Sequence, residues 1–208
     1  MDVSDPIRSV IPSVHGQVLA VLAHKNAPIS GRQVAAWTVG RASPRRVNEV
    51  LRELTEAGLV LREPHPPAYL YRLNRDHLAA PAIEALARMW QELLARMRAA
   101  LAEWDPLPPA VWMFGSAARR DGTVRSDIDI LVLRPDDVDI ADEAWAQQFS
   151  DFALDVQHWT GNYCELVEFS ETEFAEMVAN RERLVDELRR DAIHLAGDEF
   201  HERARRAS

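Results

Sequence analysis

Residues 114–133 read FGSAARRDGTVRSDIDILVL. Two aspartates, Asp127 and Asp129, stand one residue apart, and the second runs straight into Ile-Leu-Val-Leu. On a strand, side chains at i and i+2 share a face. Asp127 and Asp129 therefore project together, with Ile128 and Ile130 on the other side. Two like charges on one face repel, and a divalent cation held by both removes the conflict; oxygen ligands suit magnesium. Upstream, the apolar run AVWMF reads as a short strand that ends at Gly115-Ser116. Glycine lets the backbone approach a bulky group. The residues after it look helical, so their free N–H groups point toward an anion, which suits a phosphate. The chemistry implied is a phosphate cradle beside a metal platform.

Spacing adds specificity. Ten residues separate Ser116 from Asp127, and GSAAR is followed by SDIDIL. This stretch resembles the DNA polymerase β-like nucleotidyltransferase superfamily, and within it the minimal bacterial nucleotidyltransferases, over roughly residues 110–170. Arg120 stands where that pattern has a second glycine. The resemblance implies magnesium-dependent transfer of a nucleoside monophosphate, AMP from ATP, to a protein or RNA acceptor, with two Mg2+ ions (or Mn2+) held by Asp127 and Asp129. It implies that Gly115 and Ser116 bind the triphosphate. It also implies a third carboxylate from a later strand. By order that strand is NYCELVEF, residues 162–169, with Glu165 in the place of an aspartate. Glu165 then completes one metal site and helps deprotonate the acceptor. Asp155, in a segment that reads as helix then turn, ranks below it. Arg119 either offsets phosphate charge or is a solvated helix residue. Small members of the family act as antitoxins that modify a partner toxin, and others modify transfer RNA. The longer glutamate leaves open a second reading, a domain that binds nucleotide without catalysis.

These residues need a scaffold, and the fold class expected is α+β. The segment AEWDPLPPA, with Pro106, Pro108 and Pro109, breaks any helix and marks a boundary. The expected division is 1–75, 76–105 and 106–208. In the first part, helical spacing over 13–25 is followed by a short helix capped by Ser30 and running through Trp37. A third helix opens at Ser43-Pro44 and closes at Gly58. LVLRE and YLYRL read as two strands around PHPPA. That order resembles a winged helix-turn-helix of the MarR and ArsR type, most of all in RVNEVLRELTEAGLVLRE. Residues 43–57 are then the recognition helix, and Arg45, Arg46, Asn48 and Arg52 on its outer face are the expected DNA contacts, with Arg62 and Arg72 near the wing. A winged helix used only for protein contact is the competing reading. A nucleotide-sensing transcriptional regulator is thus the alternative to an enzyme.

Ile83, Leu86, Trp90, Leu93, Met97, Leu101 and Trp104 predict one long amphipathic linker helix over 75–104, serving either as an inter-domain element or as a homodimer helix. Residues 106–208 are expected to form a nucleotidyltransferase domain, a small mixed sheet covered by helices, with two acidic amphipathic helices over 171–196.

The charge balance is uneven. Of 24 basic and 33 acidic residues, 13 and 11 fall in residues 1–105, and 11 and 22 in 106–208. The acidic half disfavours non-specific nucleic-acid binding there unless metal neutralises it. The single cysteine, Cys164, excludes an internal disulfide and a cysteine zinc cluster. It fits a cytoplasmic setting, and no apolar run approaches the ~20 residues of a membrane span.

Overall fold

In the computed structural model, the described residues are 1–38 and 42–206. Two compact units emerge: Asp5–Trp90, and Met1–Ser4 together with Gln91–Ser208.

In the first unit, a 3-10 turn at Pro6–Ser9 leads to α1 (Val14–Ala23), β1 (Ile29–Ser30), α2 (Gly31–Trp37) and α3 (Pro44–Glu56). The hairpin β2 (Val60–His65) and β3 (Ala68–Leu73) follows, and α4 (Ala80–Ala87) packs on α1. The starts are local. Ser30 accepts from the Gln33 amide, and the Gln33 side chain reaches back to the Ser30 amide. Ser43 accepts from the Arg46 amide, with a proline in the first turn of α3. Val18, Leu22, Val34, Val47, Val50 and Leu51 form the core. The three strands lie in the order β1-β3-β2, all antiparallel. The pairing of Ile29-Ser30 with β3 is an addition to the sequence reading; two residues give no alternation to detect.

The helix expected over 75–104 is not one helix. It is α4 and α5 (Met89–Leu101), interrupted at Arg88, whose φ of −91° and ψ of 5° leave helical geometry. Apolar spacing alone does not see such a break, because the stripe resumes in phase on the far side.

In the second unit, β4 (Ala110–Phe114) is wholly buried. It is followed by α6 (Gly115–Arg119), β5 (Ile128–Arg134), α7 (Glu143–Thr160), β6 (Cys164–Ser170), α8 (Glu171–Ala179), α9 (Arg183–Asp191), β7 (Ile193–Gly197) and α10 (Phe200–Arg206). The sheet runs β6-β5-β4-β7, with β5 parallel to β6 and the other pairs antiparallel. The mixed sheet therefore stands as expected. The two helices expected over 171–196 are α8 and α9, but 193–197 is a strand on the free edge of β4, in place of a helix end.

The two faces of this sheet can be told apart by parity. Ala110, Trp112 and Phe114 pair across with Leu133, Leu131 and Asp129, so all six share a face. That face packs under Phe174, Val185, Leu188 and Phe200 of α8, α9 and α10. The Trp112 ring meets Phe174 and Phe200 at centroid distances of 5.3 and 5.5 Å, and its indole N–H donates to the Asp198 carbonyl at 3.1 Å. On the opposite parity, Glu168 accepts hydrogen bonds from Arg134 Nε at 2.6 Å and from the indole of Trp145 on α7 at 3.2 Å. Asp129 thus sits at the end of an otherwise apolar row, on the side of the sheet that α9 covers. Among the described residues no helix is long and apolar enough to cross a membrane.

Candidate active site

The apolar sequence of β4 drives it through the middle of the sheet and delivers Gly115 against the start of β5. Gly115 has a φ of +68°, and a Cβ built on it would lie 2.1 Å from Asp129 Oδ2. Only a residue without a side chain fits there, both for conformation and for space. Gly115→Ala is expected to cost about 1–3 kcal/mol in backbone strain alone, to push the Asp129 carboxylate out of place, and to remove nearly all transfer activity. Thermal unfolding and turnover measured on the same preparation check this; an alanine variant with the parent's melting temperature and rate would contradict it. At the other end of α6, Arg120 has a φ of 57° and a ψ of 36°, the left-handed region that favours glycine. The place where the sequence pattern has a second glycine is therefore a place whose backbone wants one.

The loop from Asp121 to Asp127 is tied down. The Asp121 amide donates to the Ser116 carbonyl at 3.1 Å, and Asn162 Nδ2 donates to the Ser126 carbonyl at 2.9 Å. Buried Val3 packs against Gly122, and a Cβ on Gly122 would meet Val3 at 2.7 Å and the Ser116 hydroxyl at 3.0 Å. Asp127 lies one residue ahead of β5, not within it, and is exposed.

The parallel pairing of β5 with β6 places Glu165 directly beside Asp129. Glu165 shares its face with Val167 and Phe169, which pack on the same core as Leu131 and Leu133. The side chains of Asp127, Asp129 and Glu165 make no hydrogen bond or ion pair among the described residues. Their neighbours do: Asp121 and Asp191 accept from Arg119, and Glu187 accepts from Arg183. Burial, then the charges of Glu165 and Asp127, raise the pKa of the Asp129 carboxyl above its ordinary 3.8; the Arg119 charge works in the opposite direction. As they stand, no three carboxylate, histidine or cysteine groups among the described residues are gathered closely enough to hold a metal ion. The donor chemistry nevertheless fits a divalent cation: all oxygen, mutually repelling, unpaired, and exposed at Asp127 and Glu165 where side chains can rotate inward.

Arg119, read from sequence as either a phosphate partner or a solvated side chain, is held at two corners. Its Nε donates to Asp121 at 3.0 Å and its Nη1 to Asp191 at 3.1 Å, contacts that raise its already high pKa. Ser116 is half-buried beside Gly115. Asp155 lies exposed on α7, a helix that packs on β6. Cys164 is buried one residue before Glu165, and burial with the Asp129 charge pushes its thiol up to about 12, so it is an inert packing group. Sequence reasoning missed Asp121, Glu187 and Asp191. Asp121 lay in the motif itself; the other two come from a helix whose acidic run reads as ordinary solvated surface.

In the first unit, Arg45, Asn48 and Arg52 are exposed on α3 and Arg46 is half-exposed. Each arginine is paired on its own helix: Arg45 with Glu49, Arg46 with Glu49 and Glu53, and Arg52 with Glu56. Arg72 pairs with Glu63, whereas the Arg62 guanidinium stacks 4.5 Å from the Tyr69 ring centroid.

The family model described as a nucleotidyltransferase domain matches residues 94–191. Among solved structures, a mutant of the toxin–antitoxin MntA–HpeT is 17% identical, with a TM-score of 0.37 over 55% of this chain and 82% of that one. A toxin–antitoxin crystal structure with AMP-PNP is 18% identical, with a TM-score of 0.35 over 56% of this chain and 82% of that one. No curated protein matches the chain.

Proposed function

We propose that this chain, whose residues 94–191 match the family model of a nucleotidyltransferase domain, is an enzyme that transfers a nucleoside monophosphate, AMP, from ATP to a hydroxyl of a protein or RNA acceptor. The observation that carries this is the set of three unpaired carboxylates: Asp129 and Glu165, level with each other on β5 and β6, with Asp129 against Gly115, and Asp127 one residue ahead of β5. A structural acid cluster would be neutralised by arginine, as Asp191 is. Asp127, Asp129 and Glu165 are the residues that would hold magnesium, and such an ion supplies charge neutralisation on the attacking and leaving oxygens.

The chain's own groups do the rest. Gly115 lets the backbone approach the triphosphate, and the Ser116 hydroxyl donates to it. Arg119 balances its charge. The acceptor oxygen forms a bond to the α-phosphorus as the bond from that phosphorus to the bridging oxygen breaks. Pyrophosphate departs with that electron pair, and Glu165 takes the acceptor's proton. Positioning and charge neutralisation supply most of the catalysis in such a reaction. Incubation with magnesium, cell lysate and ATP labelled at the α- or the γ-phosphate tests the reading. Label from the α-position alone, retained in a macromolecule, is the expected result. No transfer from either, with magnesium-dependent ATP binding intact, would favour the second reading: a nucleotide-binding domain that does not catalyse.

For Asp5–Trp90 the reading is a winged helix-turn-helix. What supports it is the order of three helices and a hairpin, with β1 completing the sheet on β3. DNA contact through Arg45, Arg46, Asn48 and Arg52 is the function proposed for it. α3 carries as many glutamates as arginines, so each arginine must exchange a carboxylate for a phosphate. Replacing any one of the three arginines by alanine is expected to flatten the salt dependence of DNA binding by about one unit in log–log slope. Fluorescence anisotropy across a salt series measures it. A parent with no salt-sensitive binding would assign the unit to protein contact instead.

A further inference from the structure

At the end of α9, Asp191 is an acid that the sequence gives no reason to notice. Its side chain is only 7% exposed, yet it faces two arginines. Arg190 holds it from the next residue with a forked contact, Nε to both oxygens at 3.0 and 3.1 Å and Nη2 to Oδ2 at 2.8 Å. The same Oδ2 accepts from Arg119 Nη1 at 3.1 Å. Asp121, from the loop after α6, takes Arg119 Nε at 3.0 Å. A guanidinium carries its five donors in a fixed planar fork. With Nε and Nη1 fixed by two carboxylates, the plane of the Arg119 head is set, and Nη2 is the corner that makes no hydrogen bond among the described residues.

The direction in which that corner matters is given by charge. Arg119 is the cation whose field opposes the repulsion on Asp129, so its head lies within electrostatic reach of that carboxylate. It stands one turn beyond Gly115 on the same short helix. A guanidinium held there would have its remaining donors directed at the phosphates of a nucleotide whose metal sits on Asp129.

We infer that Asp191 is a positioning residue for nucleotide binding: braced by Arg190, it fixes the Arg119 guanidinium so that Nη2 meets the triphosphate. The inference rests on the nucleotidyltransferase reading of the site. It also separates two effects that a single substitution would mix. If Asp191 acted only through its charge, removing it would leave Arg119 and Arg190 less neutralised and would tighten the binding of an anionic ligand. If it acts through geometry, both a neutral and a longer acid at this position weaken binding.

Calorimetric titration of the full chain with magnesium ATP decides between them. Asp191→Asn and Asp191→Glu are each expected to weaken binding roughly ten- to hundredfold, the loss that goes with a misdirected hydrogen bond to a charged group. In an Arg119→Ala background the same two substitutions should change binding little further, a coupling that a purely structural acid would not show. Arg190→Ala, an exposed change that leaves the buried carboxylate in place, should give the same effect in smaller measure and carries the test if the Asp191 variants unfold. Tighter binding by Asp191→Asn, silence of Asp191→Glu, or additive losses with Arg119→Ala would overturn the inference and leave the nucleotide reading standing. A parent that binds no magnesium ATP would overturn both.

Discussion

Asp129→Asn is expected to stabilise the metal-free protein near neutral pH while abolishing transfer. The two effects have one cause. Asp129 is half-buried at the end of an apolar row and faces the charges of Glu165 and Asp127, and these raise its pKa from an ordinary 3.8. A carboxyl whose folded value lies above its unfolded value holds its proton more tightly when folded. Its contribution to stability therefore falls as the pH rises from about the unfolded value through the raised folded value, and stays unfavourable above it. Asparagine keeps the shape and removes the charge. The variant should melt at a higher temperature than the parent at pH 7 without metal, and the advantage should vanish below pH 3.8, where the parent's carboxyl is protonated in both states. Excess magnesium should reverse the order, because an ion that binds only the folded parent stabilises it by mass action. With Asp129 in the metal-holding role proposed for it, the loss of its carboxylate should cost on the order of 10²–10³ in rate or more, about 3–4 kcal/mol of transition-state stabilisation. Melting curves over pH, with and without magnesium, read the first effect and turnover reads the second. A variant less stable than the parent at neutral pH without metal would mean that the three acids are not in conflict.

The parts of this molecule that are legible in sequence are those written in short-range chemistry. Ser30 and Ser43 announce the helices they cap, and Gly115-Ser116, with ten residues between it and Asp127, announces a strand, a helix start and another strand. The β6 strand and the place of Glu165 on it follow from the order of elements that the family resemblance implies, and the strand observed is Cys164–Ser170. What sequence does not show is set by long-range pairing. Residues 193–197 become a strand because β4 has a free edge to fill, and nothing in Ile-His-Leu-Ala-Gly favours strand over helix strongly enough to say so alone. The break at Arg88 is invisible because the apolar stripe continues across it. The Arg119–Asp121–Asp191 contacts join positions 72 residues apart, and a paired acid looks the same in sequence as a solvated one. For the same reason the arginines of α3 read as a basic face, although each is matched by a glutamate one turn along.

Glu165→Gln is expected to abolish transfer and spare the fold, and Glu165→Asp to retain it. The register puts Glu165 level with Asp129 on the neighbouring strand, so the arm that reaches the site is fixed at its base and differs from aspartate only by one methylene. Its carboxylate is exposed and unpaired, which is the condition for a group that must rotate inward to complete a metal site and accept a proton. Glutamine cannot accept that proton and brings no charge, and the expected loss is again on the order of 10²–10³ in rate or more. The substitution carries an internal control. Glu165 is the first of the charges that raise the Asp129 pKa, so its removal should lower that pKa and raise the metal-free melting temperature at neutral pH, whether or not the domain is catalytic. A shorter acid keeps the charge and changes only reach. If Glu165→Asp transfers faster than the parent, the extra methylene has been holding the rate down; if it transfers more slowly, the site is built around the longer arm. An active parent whose glutamine variant melts higher yet keeps full activity would take Glu165 out of the chemistry while leaving it in the electrostatics, and Asp155 on α7 would be the next carboxylate to replace.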